Sequence, residues 1–587
     1  MRVRGFLTEL KRRRVARVSI VYAVVTFAVL QAADIIIPAL QLPEWTLTLL
    51  VVLTLLGFPI ALVLAWAYDL TPAGVQRTEP VREVARDTTR SWLAGALALV
   101  SVILVIGAGW WFLGTRGSSA GPIERLAVLP PDKSTDDPAP DHFVEGIHDA
   151  LISELGRVMG SNADVLGRRS VMRYRATEMS IPEIAAELGV DAIVESLVLK
   201  AGDSAVITAR LIRAVPERQI WSDTYTRDLR DIAALYTDVA VAVANEIRVS
   251  IGPSIGPAEP VDPAAYDAFL LGNHYKNRLT EIEPDMMRAI AYYEQALERD
   301  PDYAPAHAGI ALAWTLLGWA NVVSPDSAWP RMREAADRAW ALNRDLPEVR
   351  LAAALKKRYY DWDWRGAREE YEQAIALNPS YADALAEYSW FLSTLGDHER
   401  AVELARRAYE LEPYDPFSRL HLPWALGHSD RFDEAMDEID ALLEDFPGYG
   451  LAPWFESHMY TRLGRYEDAV ASMRTAMGML QPDDLGDEYC LLAYLCAKLG
   501  RPDEAQQQLA ALDRLAADGR YISPVPRSFA YIALEDHDRA MELLTEAYDT
   551  RAGWIALFPV WREWLEPLEL RQDFLELADR LGFPNWP

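Results

Sequence analysis

The chain has 587 residues, of which 51% are hydrophobic and 25% are charged, and its net charge is −29 at neutral pH. This length requires several domains, and the composition excludes a wholly disordered chain. The acidic excess lies after residue 120, where it would repel phosphates, so nucleic acid is not expected as a partner. Two cysteines, Cys490 and Cys496, provide neither a disulfide framework nor a cysteine metal site.

Three apolar stretches near the amino terminus have the length of membrane-spanning helices. They cover residues 18–37, 45–67 and 92–113, about 20 residues each, as a helix needs to cross a bilayer. Arginines precede the first stretch and occupy the loop before the third, which places the amino terminus in the cytoplasm and the bulk outside it. A cleaved signal peptide is disfavoured because the first stretch is too long for one and two others follow. Residues 1–120 are therefore predicted to be an anchor with three transmembrane helices.

The same region resembles a known membrane module. The similar motifs are FLTELKRRR at 6–14, QAAD at 31–34, LGFP at 56–59 and LAWAYDLTPAG at 64–74. Similar segments open many bacterial tetratricopeptide repeat proteins that are anchored in the inner membrane. The resemblance implies anchoring in the bacterial inner (cytoplasmic) membrane. Together with the arginine distribution, it predicts a multi-pass protein with a cytoplasmic amino terminus, periplasmic soluble domains and the lipid bilayer as one partner.

Residues 121–255 alternate between strand and helix patterns and are predicted to form a small α/β domain. Strands are expected over 125–129, 164–166, 192–199, 205–213 and 219–226, and helices over 143–158, 181–188 and 232–249. The motifs LAVLP at 126–130, FVEG at 143–146, IAAELGV at 184–190 and IWSDTYTRDLRDI at 220–232 resemble the TolB amino-terminal-like or FlgO-like domain. The resemblance implies a fold and a place in the cell envelope, and no enzymatic activity.

Two clusters of polar residues in this domain suggest chemistry. His142, Glu145 and His148 could supply zinc ligands, but six residues separate the two histidines, which is a poor spacing for one helical face, so no metal is expected. Four arginines follow, at Arg168, Arg169, Arg173 and Arg175. They could receive a carboxylate, a phosphate or an acidic surface. In so acidic a chain, an internal docking surface is the favoured interpretation.

Residues 256–587 are predicted to be an all-α solenoid of tetratricopeptide repeats. A Leu-Gly pair followed by an alanine recurs, and the alanines stand at Ala401, Ala435, Ala469 and Ala505. Their steps of 34, 34 and 36 residues are typical of this repeat, in which each unit is a pair of helices. The glycine is expected to turn the chain, and the alanine to let two helices approach closely. Extending the period in both directions gives about eight helical pairs.

The concave face of such an array, which the first helices of successive units line, is the usual binding surface. The candidates on it are Tyr388, Trp390, His421, Trp424 and Trp454. Most aromatic residues of the array lie at helical spacing, so packing between helices is their alternative role.

The sequence contains no motif for nucleotide binding, metal hydrolysis or a nucleophilic elbow, so neither an enzyme nor a cofactor is expected. The fold class is multidomain, with three transmembrane helices, a small α/β domain and a tetratricopeptide solenoid. The predicted function is a membrane-anchored protein–protein interaction scaffold of the bacterial cell envelope, whose partners are proteins bound by the repeats. The alternative is a transmembrane sensor that relays binding on the outer side to a separate cytoplasmic partner.

Overall fold

The structure is a computed structural model of the chain. It describes residues 122–131, 140–248, 260–278, 281–480 and 486–584, and ahead of them only short pieces between residues 21 and 77. Two compact units, Met1–Gly121 and Pro122–Pro587, make up the chain. In the first unit, β1 (Tyr68–Thr71) pairs with β2 (Gly74–Arg77) as an antiparallel hairpin.

The structure corrects the membrane part of the predicted fold class and the predicted location. Among the described residues, none of the helices combines the length and the apolar character that crossing a membrane requires. The two helices of 18 residues keep an exposed polar face, and the helix of 19 residues carries five charged side chains. The ranges predicted as spans lie outside the described residues except for a few positions in the first two. The supported fold class is a mostly helical array with a small five-stranded sheet, and a multi-pass protein of the bacterial inner membrane is not supported.

The second unit begins with a five-stranded sheet of strand order β4-β3-β5-β6-β7. Strand β3 pairs in parallel with β4 and β5, whereas β5, β6 and β7 form antiparallel pairs. The strands are β3 (Arg125–Val128), β4 (Asp164–Val165), β5 (Ala192–Ala201), β6 (Ser204–Arg213) and β7 (Arg218–Asp228). The helices are α1 (Asp141–Met159), α2 (Arg168–Val171), α3 (Ile181–Leu188) and α4 (Ile232–Glu246). Every strand and helix predicted here is present within a few residues, and α2 is an addition.

The repeat array follows as eight helical pairs within the described residues. The first helices of the pairs are α5 (Pro263–Arg278), α7 (Ala304–Trp319), α9 (Pro347–Lys356), α11 (Ala382–Thr394), α13 (Pro416–His428), α15 (Leu451–Arg462), α17 (Gly486–Lys498) and α19 (Pro524–Ala533). The second helices are α6 (Ile282–Arg299), α8 (Pro325–Leu342), α10 (Trp364–Leu377), α12 (His398–Leu411), α14 (Phe432–Asp445), α16 (Tyr466–Met479), α18 (Pro502–Ala517) and α20 (His537–Thr550). A 3₁₀ helix (Gly553–Trp561), α21 (Arg562–Leu565), a 3₁₀ turn (Glu566–Leu568) and α22 (Gln572–Leu581) complete the chain.

Helix α1 joins the sheet to the array. Its buried side includes Phe143, Ile147 and Leu151, and Gly146 lies so close to Leu270 of α5 that any side chain at this glycine would collide with the leucine. One hydrophobic core therefore runs from the sheet through α1 into the repeats.

The recurrent alanines have the role that the period predicts. Ala401, Ala435, Ala469 and Ala505 lie on the second helices and are fully buried. A methyl group is the largest side chain that lets two helices pack this closely without loss of contact.

Each described turn between paired helices contains one residue with a positive φ angle. These residues are Asn321, Trp362, Gly396, Asp430, Gly464, Gly500 and Glu535, with φ between 54° and 79°. The following N–H then bonds back to the first helix, as when Arg465 N donates to Tyr460 O at 2.9 Å. Among the Leu-Gly pairs, the prediction of a turning glycine is right at Leu463-Gly464. It is wrong at Leu426-Gly427, because Gly427 lies inside α13 against Met459.

The turn geometry predicts opposite effects of one substitution at two glycines. Gly464→Ala should lower the free energy of unfolding by about 1 kcal/mol, because alanine is strained at φ +69°. A Cβ would meet no atom within 4 Å at either Gly464 or Gly478, so the two substitutions differ in backbone conformation and not in the contacts of the added methyl group. Gly478→Ala, inside α16, should raise stability by roughly 0.5–1 kcal/mol. Denaturant unfolding of both variants measures the difference, and equal effects would contradict the turn assignment.

Candidate functional site

Four of the five aromatic candidates meet on the inner face of the array. Trp390 on α11, Trp424 on α13 and Trp454 on α15 are at most 7% exposed. The ring centroids of Trp390 and Trp424 are 5.2 Å apart, and those of Trp390 and His421 are 5.3 Å apart. Phe455 contacts all three tryptophans. The first helices of successive repeats therefore place their aromatic side chains in one continuous layer.

Tyr388, the fifth candidate, points away from this layer. Its ring stacks on Tyr371 of α10 at 5.3 Å, and its hydroxyl donates to Glu372 Oε1 at 2.8 Å. It packs between the two helices of neighbouring pairs, so the structure groups it with the interhelical core.

The chain's own carboxyl-terminal part covers the aromatic layer. We call residues 553–565 the inner segment; it comprises the 3₁₀ helix and α21. Trp554 meets Trp454 edge to face at 6.0 Å, and Trp561 meets Trp424 at 6.1 Å. Trp564 stacks on Tyr494 of α17 at 4.6 Å. The inner segment thus follows the inner face of the array across several repeats.

Its hydrophobic side chains are as buried as any core residue. Ile555 and Phe558 are fully buried and Trp561 is 1% exposed. At its start, the indole N–H of Trp554 donates to Trp319 O on α7 at 3.2 Å. Near its end, Arg462 of α15 forms an ion pair with the exposed Glu563 at 3.1 Å.

His458 of α15 lies at the centre of the contact between the inner segment and the array. Its ring is 5.0 Å from that of Trp424, 5.3 Å from that of Trp561 and 5.8 Å from that of Trp564. Burial, with a smaller contribution from Arg462, lowers the pKa of His458 to about 3, so the imidazole is neutral near physiological pH. Neither ring nitrogen has a hydrogen-bond partner among the described residues.

Several indoles of the aromatic layer and the inner segment share this lack of a partner. In the described part of the chain, no hydrogen-bond acceptor faces the indole N–H of Trp390, Trp424, Trp561 and Trp564. Buried donors without acceptors are uncommon in folded proteins because each one costs free energy. The contact between the inner segment and the array is therefore rich in apolar area and poor in hydrogen bonds.

The arginine cluster of the α/β domain is a docking surface for the array, as the sequence predicts. Arg169 at the start of α2 forms ion pairs with Asp415 at 3.0 Å and with Asp383 at 3.3 Å. Glu412 accepts the backbone N–H of Ser170 at 2.8 Å and that of Arg169 at 3.2 Å. Burial and then the neighbouring Asp415 raise the pKa of Glu412 to about 7. Arg169 therefore faces Glu412 and Asp415 in the loop between α12 and α13, together with Asp383 at the start of α11.

The other arginines of the cluster have separate partners. Arg168 and Arg175 bind Glu145 within their own domain, at 3.1 Å and 2.8 Å. Arg173 lies 4.1 Å above the ring of Tyr414, next to the same loop of the array. The docking surface is thus internal to the chain.

Backbone contacts reinforce this docking. The N–H of Gly167 donates to Leu411 O at 2.9 Å, and that of Val165 donates to Ser380 Oγ at 3.1 Å. Leu411 ends α12 and Ser380 lies in the loop before α11, so the sheet edge at β4 docks on the ends of consecutive repeats.

The histidines of the α/β domain are directed to different partners. His142 contacts Asp267 at 3.2 Å, whereas Nε2 of the buried His148 contacts Val128 O at 2.8 Å. Glu145 lies between His274 and two arginines. Across the described ranges, no three metal-binding side chains are arranged to hold an ion.

Comparison with known proteins agrees with the repeat assignment. Models of the tetratricopeptide repeat match residues 358–416 and 285–303. The chain is 31% identical to "Putative adenylate cyclase 3" of Rhizobium meliloti over 211 residues, which are 34% of this chain and 35% of that protein. It is 22% identical to "TPR repeat-containing protein MJ1428" of Methanocaldococcus jannaschii over 28% of this chain and 29% of that one. The chain thus spans about a third of the length of these relatives.

Solved structures of repeat proteins are also similar in part. They include yeast Tom70, with 16% identity over 55% of this chain and 68% of that chain at a TM-score of 0.35. A tetratricopeptide repeat protein from Parabacteroides merdae has 12% identity over 48% of this chain and all of its own, at a TM-score of 0.33. These scores are too low to carry an argument about geometry. The matched models and the helical pairs show that the chain contains tetratricopeptide repeats.

The inner segment is the part of this site that the sequence analysis missed. Its signal is the run GWIALFPVWREWL at 553–565, which has no charged residue before Arg562 and follows the last repeat. A strongly apolar stretch that lies outside the repeat period is expected to pack against another surface of the protein.

The docking surface predicts unequal effects of two arginine substitutions. Arg169→Ala should lower the free energy of unfolding by about 2–4 kcal/mol, because it leaves Asp383, Glu412 and Asp415 without their cation in a largely buried contact. Arg173→Ala, at a half-exposed side chain, should cost at most about 1 kcal/mol. Thermal unfolding of both variants gives the comparison. Equal losses would mean that Arg169 does not hold the two parts together.

Proposed function

We propose that the chain is a protein–protein interaction scaffold that binds its partners through the inner face of the repeat array. Tetratricopeptide repeats bind other proteins, and the inner aromatic layer is the observation that carries this proposal. Trp390, Trp424 and Trp454 lie on three successive first helices beneath the inner segment, and they would be three large aromatic anchors for a partner that reaches this layer. Aromatic side chains that line a groove supply binding energy at little conformational cost.

In this role, the α/β domain would hold neighbouring repeats of the array in fixed positions relative to one another. It contacts the ends of several repeats through α1, β4 and the arginine cluster, which restricts flexing of the array along that edge. We also propose that residues 121–255 are a domain of the TolB amino-terminal-like or FlgO-like kind, on the motifs that they share with it.

The charge of the chain restricts its partners. With a net charge of −29, the surface attracts basic proteins, whose binding weakens as salt is added. Partners that dock by apolar anchors in the aromatic layer would show little dependence on salt. The proposal gives the chain no catalytic step.

A second candidate comes from the name of the Rhizobium meliloti relative, a putative adenylate cyclase. Its match of 31% identity over 34% of this chain favours a role in nucleotide signalling, for which the repeats would be the interaction part. Formation of cyclic AMP from ATP by the purified chain would favour this second candidate.

The scaffold proposal predicts that partners depend on the inner tryptophans. Tagged full-length chain, treated with a cross-linker in its own cells, should recover a reproducible set of proteins by mass spectrometry. Trp390→Ala combined with Trp454→Ala should lower that recovery at least tenfold. Trp340→Ala is the matched control, because Trp340 lies on α8, which is a second helix and not one of the first helices that carry the aromatic layer. It should leave recovery unchanged. Full recovery by the double variant would contradict binding through the inner face.

A further inference from the structure

We propose that the inner segment is a displaceable internal ligand of the aromatic layer. The partner that replaces it presents an uncharged segment with two aromatic side chains about seven residues apart. This inference rests on the proposed function, because it names the ligand class and the regulation of the same groove. The inner segment itself defines that class: Gly553–Trp561 contains no charged residue and places Trp554 and Trp561 against the array.

The inner segment makes few hydrogen bonds and ion pairs with the surface that it covers. Within the described residues, no backbone-to-backbone hydrogen bond joins residues 553–565 to a repeat helix. The two polar contacts already given, at Trp554 and at Glu563, lie towards its two ends. A 3₁₀ helix also has poorer internal hydrogen bonds than an α-helix. Apolar burial is therefore what holds the inner segment in place, and a ligand of the same apolar character can compete for it.

The chain on either side of the inner segment is attached differently. Before it, the indole of Trp329 donates to Arg551 O at 2.6 Å, and Arg551 Nε donates to Tyr360 O at 3.0 Å. After it, the indole of Trp364 donates to Leu581 O at 3.0 Å, and its ring stacks on Phe583 at 4.2 Å. The flanks are thus pinned by hydrogen bonds. Opening would lift a loop between two fixed points without detaching the carboxyl terminus.

The contrast between paired and unpaired indoles indicates what the groove can still bind. Trp329 and Trp364, which hold the flanks, donate their N–H groups to carbonyl oxygens. Trp424 contacts both Trp390 of the array and Trp561 of the inner segment, and none of these three indoles finds an acceptor among the described residues. A partner segment that brings backbone carbonyl oxygens to Trp390 and Trp424 would satisfy donors that the inner segment leaves unsatisfied.

The tether makes the inner segment an effective competitor. Because both flanks stay attached, its effective concentration at the groove is high, and an external ligand binds only through the open fraction. Weakening the inner segment should therefore strengthen the binding of an external ligand of the same kind. If the inner segment were a permanent part of the core, weakening it would instead weaken the binding of the external ligand, because the groove itself would be damaged.

A synthetic fluorescent peptide with the sequence of residues 551–568 tests the inference on the full chain. It should bind the variant carrying both Trp554→Ala and Trp561→Ala at least tenfold more tightly than the wild type. Leu570→Ala, at a side chain that is 98% exposed, should bind it as the wild type does, and a peptide of scrambled order should bind none of the three. A folded double variant with a gain below tenfold would overturn the inference.

Hydrogen exchange on the unmodified chain decides the matter if the double variant does not fold. Backbone amides of residues 555–558 and 560–565 should exchange at least tenfold faster than those at the centres of α11 and α13, because local opening exposes them without global unfolding. Equal protection would make the inner segment a permanent part of the core and overturn the inference.

Sedimentation over a range of protein concentrations separates the possible occupants. A monomer throughout supports a partner protein as the ligand, whereas a dimer formed by exchange of inner segments would overturn that assignment. The peptide experiment does not use the unidentified partners, so its failure is distinguishable from a failure of the scaffold proposal. If the peptide competes but no partner depends on Trp390 and Trp454, the scaffold proposal alone fails.

Discussion

A repeat array buries the faces between neighbouring helices but leaves its inner face uncovered, and this constraint shapes the whole second unit. Here the inner face is a continuous aromatic layer, which water solvates poorly. The inner segment removes that layer from water by placing Trp554, Trp561 and Trp564 on it, each almost completely buried. One hydrophobic core consequently extends from the sheet to the carboxyl-terminal helix.

The edge of the array is held by a different kind of contact. The loops before α11 and α13 carry Ser380, Glu412 and Asp415, and the α/β domain meets them with backbone N–H groups and with Arg169. Such charged and hydrogen-bonded contacts require accurate geometry and so fix the position of the domain. The inner face, in contrast, is held by apolar area, which constrains position less strictly. The docked domain is therefore the rigid part of the unit, and the inner segment is the part suited to exchange.

The sequence predicts the features of the fold that recur with the repeat period and misses the contacts that do not recur. Ala401 and Ala469 mark second helices because the same close contact recurs every 34 residues or so. The Leu-Gly rule fails at Gly427 because a left-handed turn also accepts Asp430, so the turning residue moves while the helix extends. Of the candidate site, the aromatic layer was predictable from the first-helix positions. The inner segment that covers this layer was not predictable, because a contact between Trp454 and Trp554 joins residues 100 positions apart and leaves no local pattern in the sequence.

The most direct test of this account is the coupling free energy between Trp454 and Trp554, measured by a double-mutant cycle with alanine in the full chain. The two rings meet edge to face at 6.0 Å, so the account predicts a coupling of roughly 0.5–1.5 kcal/mol in the free energy of unfolding. The same cycle with Trp454 and the distant Trp340 should give a value within about 0.5 kcal/mol of zero. A coupling near zero for Trp454 and Trp554, equal to that of the control pair, would mean that the inner segment does not cover the aromatic layer in solution.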